Sequence, residues 1–204
     1  MKCIFQNEDV CVVDDVLSVK ELNSVWEGSQ TENYSSVFSG QWHKVWRVTS
    51  GYPLRGAAHN GGDNSYLQPV YNAFTGLVKQ YPKYFTKSSG MSLSVYVYGP
   101  GSKLSWHSDR GYQGAITLYI HPKWGASWGG ELMLANTKER KTCQLRLDHA
   151  WEDEYLLAEG NGLYFAPKPN RAIIQKPGIW HGMNRVDQDA GDNLRVSVQG
   201  FWLA

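Results

Sequence analysis

The chain has 204 residues, a length typical of one domain, and 42% of them are hydrophobic, which is enough to build a buried core. Its 20 basic and 19 acidic residues leave a net charge of +1, so it lacks the positive field with which proteins bind nucleic acid. No stretch approaches the roughly 18 apolar residues of a membrane span, and the first residues lack the apolar run of a signal peptide.

The cysteines bear on the cellular compartment. Cys3, Cys11 and Cys143 are odd in number, and their spacing fits no zinc motif. Reduced thiols are therefore expected, as in cytoplasmic proteins. We predict a cytoplasmic protein with no membrane and no nucleic-acid partner, and the pattern does not indicate an oligomeric state.

The first part of the chain is predicted to contain one strand and two helices. The β-branched run Val10 to Val13 favours a strand. Ser18 is a good N-cap, and Glu21 three residues later completes a capping box, which predicts a helix over about 19–27. Apolar residues at helical spacing predict a second helix over 67–79.

Residues 28–66, rich in Ser, Gly and Asn, show no clear pattern, whereas short strands separated by Gly and Pro turns begin near residue 92. Such strands at regular spacing are typical of a sandwich or jelly roll. We therefore expect a single domain over 1–204, mainly β with flanking helices. Within it, 1–90 form a helical, substrate-side part and 91–204 form the β core. The predicted strands of the core are 93–98, 104–109, 115–120, 131–134, 143–147, 162–166, 171–175 and 194–202.

The stretch around His107 carries the first chemical signal. Residues i and i+2 of a strand point to the same face, so His107 and Asp109 are predicted to present an imidazole and a carboxylate side by side. His181 comes much later in the chain, as expected of a ligand on a later strand. Two histidines and one carboxylate form the triad that holds Fe(II) and leaves positions open for other ligands.

A second signal lies near the C-terminus. Arg195 and Ser197 are two residues apart on the predicted last strand, so they share one face. The arginine fork matches the geometry of a carboxylate, and a hydroxyl beside it adds a further donor. This pair is therefore predicted to bind a carboxylate.

Taken in order, His107-X-Asp109, Gly129-Gly130-Glu131-Leu132, His181, Val186 and Arg195-X-Ser197 resemble the Fe(II)/2-oxoglutarate-dependent dioxygenases, in the prolyl hydroxylase-like branch. The resemblance covers roughly 93–202, over half of the chain. It implies a double-stranded β-helix, a cupin-like form of jelly roll. It also implies Fe(II), 2-oxoglutarate and oxygen as cofactors, with ascorbate as a candidate reductant.

The resemblance further implies individual roles. His107, Asp109 and His181 become the catalytic iron ligands. Arg195 binds the distal carboxylate of 2-oxoglutarate with help from Ser197. A tyrosine from the preceding strand contacts the cosubstrate, with Tyr98 as the first candidate and Tyr96 as the second.

The expected reaction is hydroxylation of an unactivated C–H bond of a small molecule, an amino acid or a natural-product intermediate, with release of succinate and carbon dioxide. One alternative is a protein hydroxylase that acts on prolyl or other side chains. Another is a cupin-like binding protein that keeps the fold without the chemistry. The intact triad and Arg195 argue against that last alternative.

Aromatic residues with a few charges predict where the substrate binds, because such walls suit a compact polar molecule. They lie in residues 41–60, in the loop 123–130 and beside His181. The alternative is that they only pack the N-terminal part onto the core, and for Trp180 a core position is equally expected. The remaining histidines are interpreted as exposed or hydrogen-bonded side chains. The candidate substrate residues are Trp42, Arg47, Arg55, Trp124, Trp128 and Trp180.

Overall fold

The computed structural model describes residues 1–37, 53–60, 65–87, 89–109, 111–136, 156, 158 and 160–204. These residues form two antiparallel sheets with a cavity between them and two helices packed outside. Nine strands among them make up the larger sheet: β1 (Lys2–Gln6), β2 (Val10–Asp14), β3 (Ser35–Ser36), β4 (Leu54–Arg55), β5 (His59–Asn60), β6 (Gly90–Tyr98), β8 (Ala115–Tyr119), β11 (Ala172–Gln175) and β13 (Arg195–Leu203). Four form the smaller sheet: β7 (Leu104–His107), β9 (Leu132–Ala135), β10 (Gly162–Phe165) and β12 (His181–Met183).

From β6 onward the chain winds between the two sheets. It passes from β6 in the larger sheet to β7 in the smaller one, returns to β8, makes the hairpin of β9 and β10, and then takes β11, β12 and β13 in alternation. The larger sheet has the order β1-β2-β11-β8-β13-β6-β4-β3, with β5 also paired to β6, and the smaller sheet has the order β10-β9-β12-β7. This winding is that of a jelly roll. The predicted double-stranded β-helix, mainly β with flanking helices, is therefore confirmed.

Helix α1 (Val19–Ser29) begins as the sequence predicted. Ser18 Oγ accepts a hydrogen bond from the Glu21 N–H at 3.3 Å, and Glu21 Oε2 accepts one from the Ser18 N–H at 2.8 Å. The capping box is thus complete. Helix α2 (Gln68–Gln80) ends shortly before Pro82, which opens a 3-10 turn and has no N–H to continue the helix.

The main hydrophobic core lies between the helices and the outer face of the larger sheet. Successive side chains of β13 point to opposite faces of the sheet, one toward the core and one toward the space between the sheets. Val196 and Val198 face outward into the core with Phe74 of α2, whereas Arg195 and Ser197 line the space between the sheets or lie directly beside it. The same strand therefore anchors the helices and supplies polar groups to the interior.

Several elements differ from the prediction. The edge strand β1 is mostly exposed and has no apolar alternation that would reveal it, and β3, β4 and β5 are two-residue strands that exist through pairing with β6 or with one another. The predicted strand 143–147 lies outside the described residues. Strand β2 pairs with β11, so the N-terminal residues extend the larger sheet. The division of the domain at residue 90 stays a prediction.

Neither helix in the described part of the chain has the length and apolar character needed to cross a membrane. The cytoplasmic location predicted from the cysteines stays a prediction.

Candidate active site

The space between the two sheets is a cavity of about 590 Å³, counted with the part that opens to solvent. Its walls come from both sheets, so residues far apart in the chain meet there. Its lining combines apolar side chains with a small number of polar ones, as ligand sites do. The lining residues are Tyr96, Tyr98, Leu104, His107, Asp109, Ala115, Ile116, Thr117, Leu132, Gln175, His181, Met183, Arg195, Gln199 and Phe201.

The two histidines of the predicted triad are brought together by strand pairing. His107 ends β7, His181 begins β12, and the two residues are direct cross-strand partners. Their ring centroids lie 4.3 Å apart. Pairing between these two short strands therefore fixes the relative position of both imidazoles.

Asp109 reaches the site from a turn. The prediction that it lies on the same strand as His107 is wrong, because β7 ends at His107 and the chain then turns, with the Tyr112 N–H donating to the Asp109 carbonyl at 3.2 Å. The carboxylate still points to the histidines. Its Oδ1 lies 3.7 Å from His107 Nε2, and its Oδ2 lies 3.4 Å from His181 Nε2.

The electrostatics favour a charged Asp109. Burial opposes its ionisation, but the hydrogen bond with His181 and the charges of His181 and His107 outweigh burial and lower the pKa of the carboxyl group. For His181, burial opposes the charged ring, while the hydrogen bond and charge of Asp109 raise its pKa. His181 Nδ1 donates to the Ile179 carbonyl at 2.8 Å, which leaves Nε2 turned to the site.

Together these three side chains have the donor set of an iron site. One ligand atom from each lies within 4.8 Å of the others. Two imidazole nitrogens and one carboxylate oxygen with open positions are the ligands of non-haem Fe(II) oxygenases. The Nδ1–H bond of His181 to a backbone carbonyl is the kind of outer contact that orients a metal-bound histidine. The residues present therefore fit Fe(II).

Arg195 is a buried cation in the same cavity, 2% exposed. Its Nε donates to the Gly130 carbonyl at 2.7 Å and its Nη2 to Tyr119 Oη at 3.3 Å. Its Nη1 and the Ser197 hydroxyl are buried and have no hydrogen-bond partner among the described residues. Two unsatisfied donors beside a buried positive charge fit a carboxylate.

The two predicted cosubstrate tyrosines line this cavity. Tyr98 is the cross-strand partner of Arg195, and its ring centroid lies 5.1 Å from the guanidinium carbon. Tyr96 is the partner of Ser197, and burial raises its pKa to about 12. Burial also raises the pKa of Tyr98. Both phenols are therefore neutral hydrogen-bonding groups at physiological pH.

The sequence interpretation missed two residues around Arg195. Tyr119 holds the guanidinium through its hydroxyl, and its ring centroid lies 4.8 Å from the guanidinium carbon. Gly130 has a positive φ of 74°, and a Cβ there would lie 2.7 Å from the Arg195 Cδ, so only glycine fits beside the arginine stem. Alternation within the predicted strand 115–120 was the available signal for Tyr119, whereas Gly130 entered the sequence interpretation only within the Gly129-Gly130-Glu131-Leu132 motif, with no contact to Arg195 assigned.

His121, interpreted as an ordinary hydrogen-bonded histidine, lies behind the arginine. Its Nδ1 accepts from the Val196 N–H at 3.2 Å and its Nε2 donates to the Pro167 carbonyl at 2.7 Å. Burial, with the nearby charge of Arg195, lowers its pKa to about 4. The neutral ring thus forms hydrogen bonds with backbone groups next to Arg195 without adding a second positive charge.

The predicted substrate residues fall into different places. Arg55 on β4 is half-buried and donates to Ser94 Oγ from Nη2 at 3.1 Å, with its guanidinium carbon 5.7 Å from the Tyr96 ring centroid. Trp124 and Trp128 pack against the cluster that includes Tyr98 and Met183, and neither is among the residues that line the cavity. Their predicted contact with substrate stays a prediction.

Trp180 is half-buried, and its carbonyl accepts from the Ala135 N–H at 3.0 Å, which ties β12 to β9. It does not appear among the side chains that line the cavity. Trp42 and Arg47 lie outside the described residues, so their predicted contact with substrate stays a prediction.

Comparison with known proteins identifies the family. The model of the 2OG-Fe(II) oxygenase superfamily matches residues 93–203. No curated protein sequence matches the chain. Among solved structures, a Pseudomonas putida prolyl-4-hydroxylase is similar with a TM-score of 0.66 and 14% identity, over 96% of this chain and 92% of that one.

Two further structures have the same fold. A Trichoplax adhaerens prolyl hydroxylase, solved with a peptide fragment of the hypoxia inducible factor oxygen degradation domain, has a TM-score of 0.65 and 13% identity over 97% of this chain and 84% of that one. The α-ketoglutarate-dependent epimerase SnoN of nogalamycin biosynthesis has a TM-score of 0.62 and 11% identity over 96% and 77%. Since the family model matches more than half of its length, the chain belongs to the 2OG-Fe(II) oxygenase superfamily, enzymes that use Fe(II), 2-oxoglutarate and oxygen.

Proposed function

We propose that this oxygenase hydroxylates an unactivated C–H bond of a small molecule, an amino acid or a natural-product intermediate. The observation that carries the proposal is that His107, Asp109, His181 and Arg195 all line one cavity. Its mostly apolar lining with a small number of polar groups is that of a small-molecule site.

His107, Asp109 and His181 hold the iron in this proposal. Bound Fe(II) supplies the oxidising chemistry, in which 2-oxoglutarate and oxygen yield succinate, carbon dioxide and a hydroxyl group on the substrate. The chain orients the ligands: strand pairing fixes both imidazoles, and the Ile179 carbonyl holds the His181 ring. The apolar walls Leu104, Leu132 and Met183 keep water from the reacting groups.

Arg195 and Ser197 bind the distal carboxylate of 2-oxoglutarate, and Tyr98, with Tyr96 as the second candidate, donates to its oxygen atoms. Support comes from the buried Nη1 and Ser197 Oγ, which have no other partner among the described residues. Ascorbate as a reductant stays a prediction.

Arg55 is the proposed contact for an anionic group of the substrate. Its hydrogen bonds to Ser94 are to a neutral hydroxyl, and no carboxylate of the described chain pairs with it. A half-buried guanidinium that has no counter-ion among the described residues, beside Tyr96 in the cavity lining, suits a substrate with a carboxylate.

A protein hydroxylase is the second candidate. It is favoured by the likeness in fold to two prolyl hydroxylases, one of them solved with a peptide. The likeness to an enzyme of nogalamycin biosynthesis favours the small-molecule candidate in the same way. A non-catalytic binding protein is disfavoured by the family match and by the complete donor set.

Loss of either iron-binding histidine should abolish metal binding. In the absence of oxygen, Fe(II) with 2-oxoglutarate should give a weak visible charge-transfer band with the unaltered protein. The band should be lost in His107→Ala and in His181→Ala, because two ligands hold Fe(II) poorly. His59→Gln is the matched control, since His59 pairs with Glu32 outside the cavity, and it should keep the band. A full band in both alanine variants would reject these ligands.

The substrate class is tested by succinate formation. The panel contains free amino acids, their carboxamides, small metabolites and short proline-containing peptides. We expect stimulation by a small molecule, and Arg55→Ala should raise its KM at least tenfold, because hydrogen bonds to charged groups are worth roughly 1.5–3 kcal/mol. Lys79→Ala removes an exposed positive charge on α2 and should leave KM unchanged. Stimulation by peptides alone would instead establish the protein hydroxylase.

A further inference from the structure

Three polar side chains line the cavity away from Arg195: Thr117 on β8, Gln175 on β11 and Gln199 on β13. We call them the second polar cluster. Gln199 and Thr117 are direct cross-strand partners. Gln175 is the partner of Ala115 and therefore lies diagonally from Thr117 on the same face of the sheet. The three side chains thus form one continuous polar patch.

This cluster is separated from Arg195 along the sheet. Arg195 and Gln199 are four positions apart along β13, which corresponds to roughly 13 Å of strand. The carbon chain of 2-oxoglutarate has four C–C bonds and spans at most about 6 Å. The backbone positions of Arg195 and Gln199 are thus farther apart than the cosubstrate is long.

The candidate iron ligands lie farther from Arg195 than the apolar residues on the same two strands. Met183 clusters with Tyr98, the partner of Arg195, and Leu104 packs against that cluster. His107 and His181 lie farther along the same two strands, on the side away from Arg195. The metal site is thus displaced from the Arg195 end of the cavity along these strands.

Gln175 breaks the apolar pattern around it. Its two cross-strand partners, Val10 and Ala115, are apolar, and the next inward residue on β11, Ile173, belongs to the apolar cluster between the sheets. Gln175 is 4% exposed, yet its Nε2 has no hydrogen-bond partner among the described residues. A buried unpaired donor weakens a fold, so packing alone does not account for glutamine here.

We propose that the second polar cluster binds a carbonyl oxygen of the primary substrate, with Gln175 Nε2 as the main donor. The inference rests on the proposed function, since it places the substrate in the same cavity. The three side chains are neutral, which suits the oxygen of a carboxamide or a carboxylate better than a multiply charged group such as phosphate. Gln175 is then a specificity-determining residue.

The first test uses Gln175→Met, which keeps the length of the side chain and removes the donor. The substrate-free variant should unfold at the same temperature as the unaltered protein or higher, because an unpaired buried donor is gone. The anaerobic band with 2-oxoglutarate should be unchanged. KM for the panel compound that stimulates succinate formation most should rise about five- to tenfold, the loss of one neutral hydrogen bond.

Gln80→Met is the matched control, because Gln80 is an exposed residue at the end of α2. It should change neither the unfolding temperature nor KM. A clear fall in the unfolding temperature of Gln175→Met would show that Gln175 supports the fold, and an unchanged KM would show that it does not meet the substrate. Either result overturns the proposal.

The second test does not depend on identifying the substrate. Acetamide and acetate are titrated separately into nitrogen-15-labelled protein, and the side-chain amide signal of Gln175 is assigned by its loss in Gln175→Met. A saturable shift of this signal, without a shift of Gln80, supports the cluster, and the more effective probe distinguishes a carboxamide from a carboxylate. No shift with either probe overturns the proposal. If no panel compound stimulates turnover, the proposed function fails while this test still decides on the cluster.

Discussion

Arg195 carries a buried positive charge, and its hydrogen-bond acceptors in the described part of the chain are neutral. The Gly130 carbonyl and the Tyr119 hydroxyl accept from it, Tyr98 covers it, and no carboxylate among the described residues pairs with it. A buried charge without a counter-ion is costly unless a ligand compensates it. His121 lies behind Arg195 and is neutral, and a second cation there would raise the cost of burying the Arg195 charge.

Replacing Arg195 should therefore weaken the binding of the cosubstrate more than it lowers the stability of the fold. In Arg195→Met the apparent affinity for 2-oxoglutarate should fall at least tenfold, because charge-assisted hydrogen bonds are worth roughly 1.5–3 kcal/mol. Titration of the anaerobic visible band measures it. Arg195→Lys is the matched control and should lose less, since it keeps the charge but not the fork. An affinity unchanged in Arg195→Met would place the anion site elsewhere.

Among the elements, β2 and β11 are tied together by more than their backbone ladder. Asp14 at the end of β2 accepts from Arg171 Nε at 2.7 Å and from Lys168 Nζ at 2.7 Å. Burial opposes the charge of Asp14, but the hydrogen bonds and charges of Arg171 and Lys168 outweigh it and lower its pKa below 3.8. This ion pair fixes β11, the strand that bears Gln175.

Asp14→Asn should lower the free energy of unfolding at neutral pH by about 2 kcal/mol, the value of hydrogen bonds to a charged group. Because the pKa is lower in the folded than in the unfolded chain, the charged carboxylate stabilises the fold fully above the unfolded value, and this contribution is lost as pH falls through the folded pKa. The difference between the two proteins should thus shrink below about pH 4.

Urea unfolding at neutral and acid pH measures this difference. Asp15→Asn is the control, since Asp15 is exposed and its positive φ of 57° suits asparagine. It should leave stability almost unchanged. A loss in Asp14→Asn that is equally large at acid and neutral pH would mean that packing, and not charge, ties the two strands.

At the scale of the whole molecule, the two faces of the larger sheet separate stability from chemistry. The outer face packs on the helices through apolar residues such as Val198 and Phe74, while the inner face carries Arg195, Gln199 and Thr117 into the cavity. Strand alternation produces this division from one continuous sheet. Substitutions on the inner face can therefore change which substrate binds while the main core stays intact.

The sequence by itself determined what depends on near neighbours. The capping box at Ser18 and Glu21, the helix before Pro82 and most core strands are local signals, since caps, periodicity and turn residues act within a few positions. The order of His107, Asp109, His181 and Arg195 indicated the superfamily as well, because two histidines with a carboxylate suit Fe(II) and an arginine suits a carboxylate.

Only the tertiary structure decided which side chains meet. The pairing of β7 with β12 brings His107 to His181, a turn and not a strand delivers Asp109, and Tyr119 reaches Arg195 across the sheet. Trp124, a predicted substrate residue, packs against the cluster around Tyr98, whereas Gln175 gave no signal in the sequence and lines the cavity. The sequence shows which residue types could serve a site. The register between distant strands sets which face each residue occupies, and that register is a property of the folded chain.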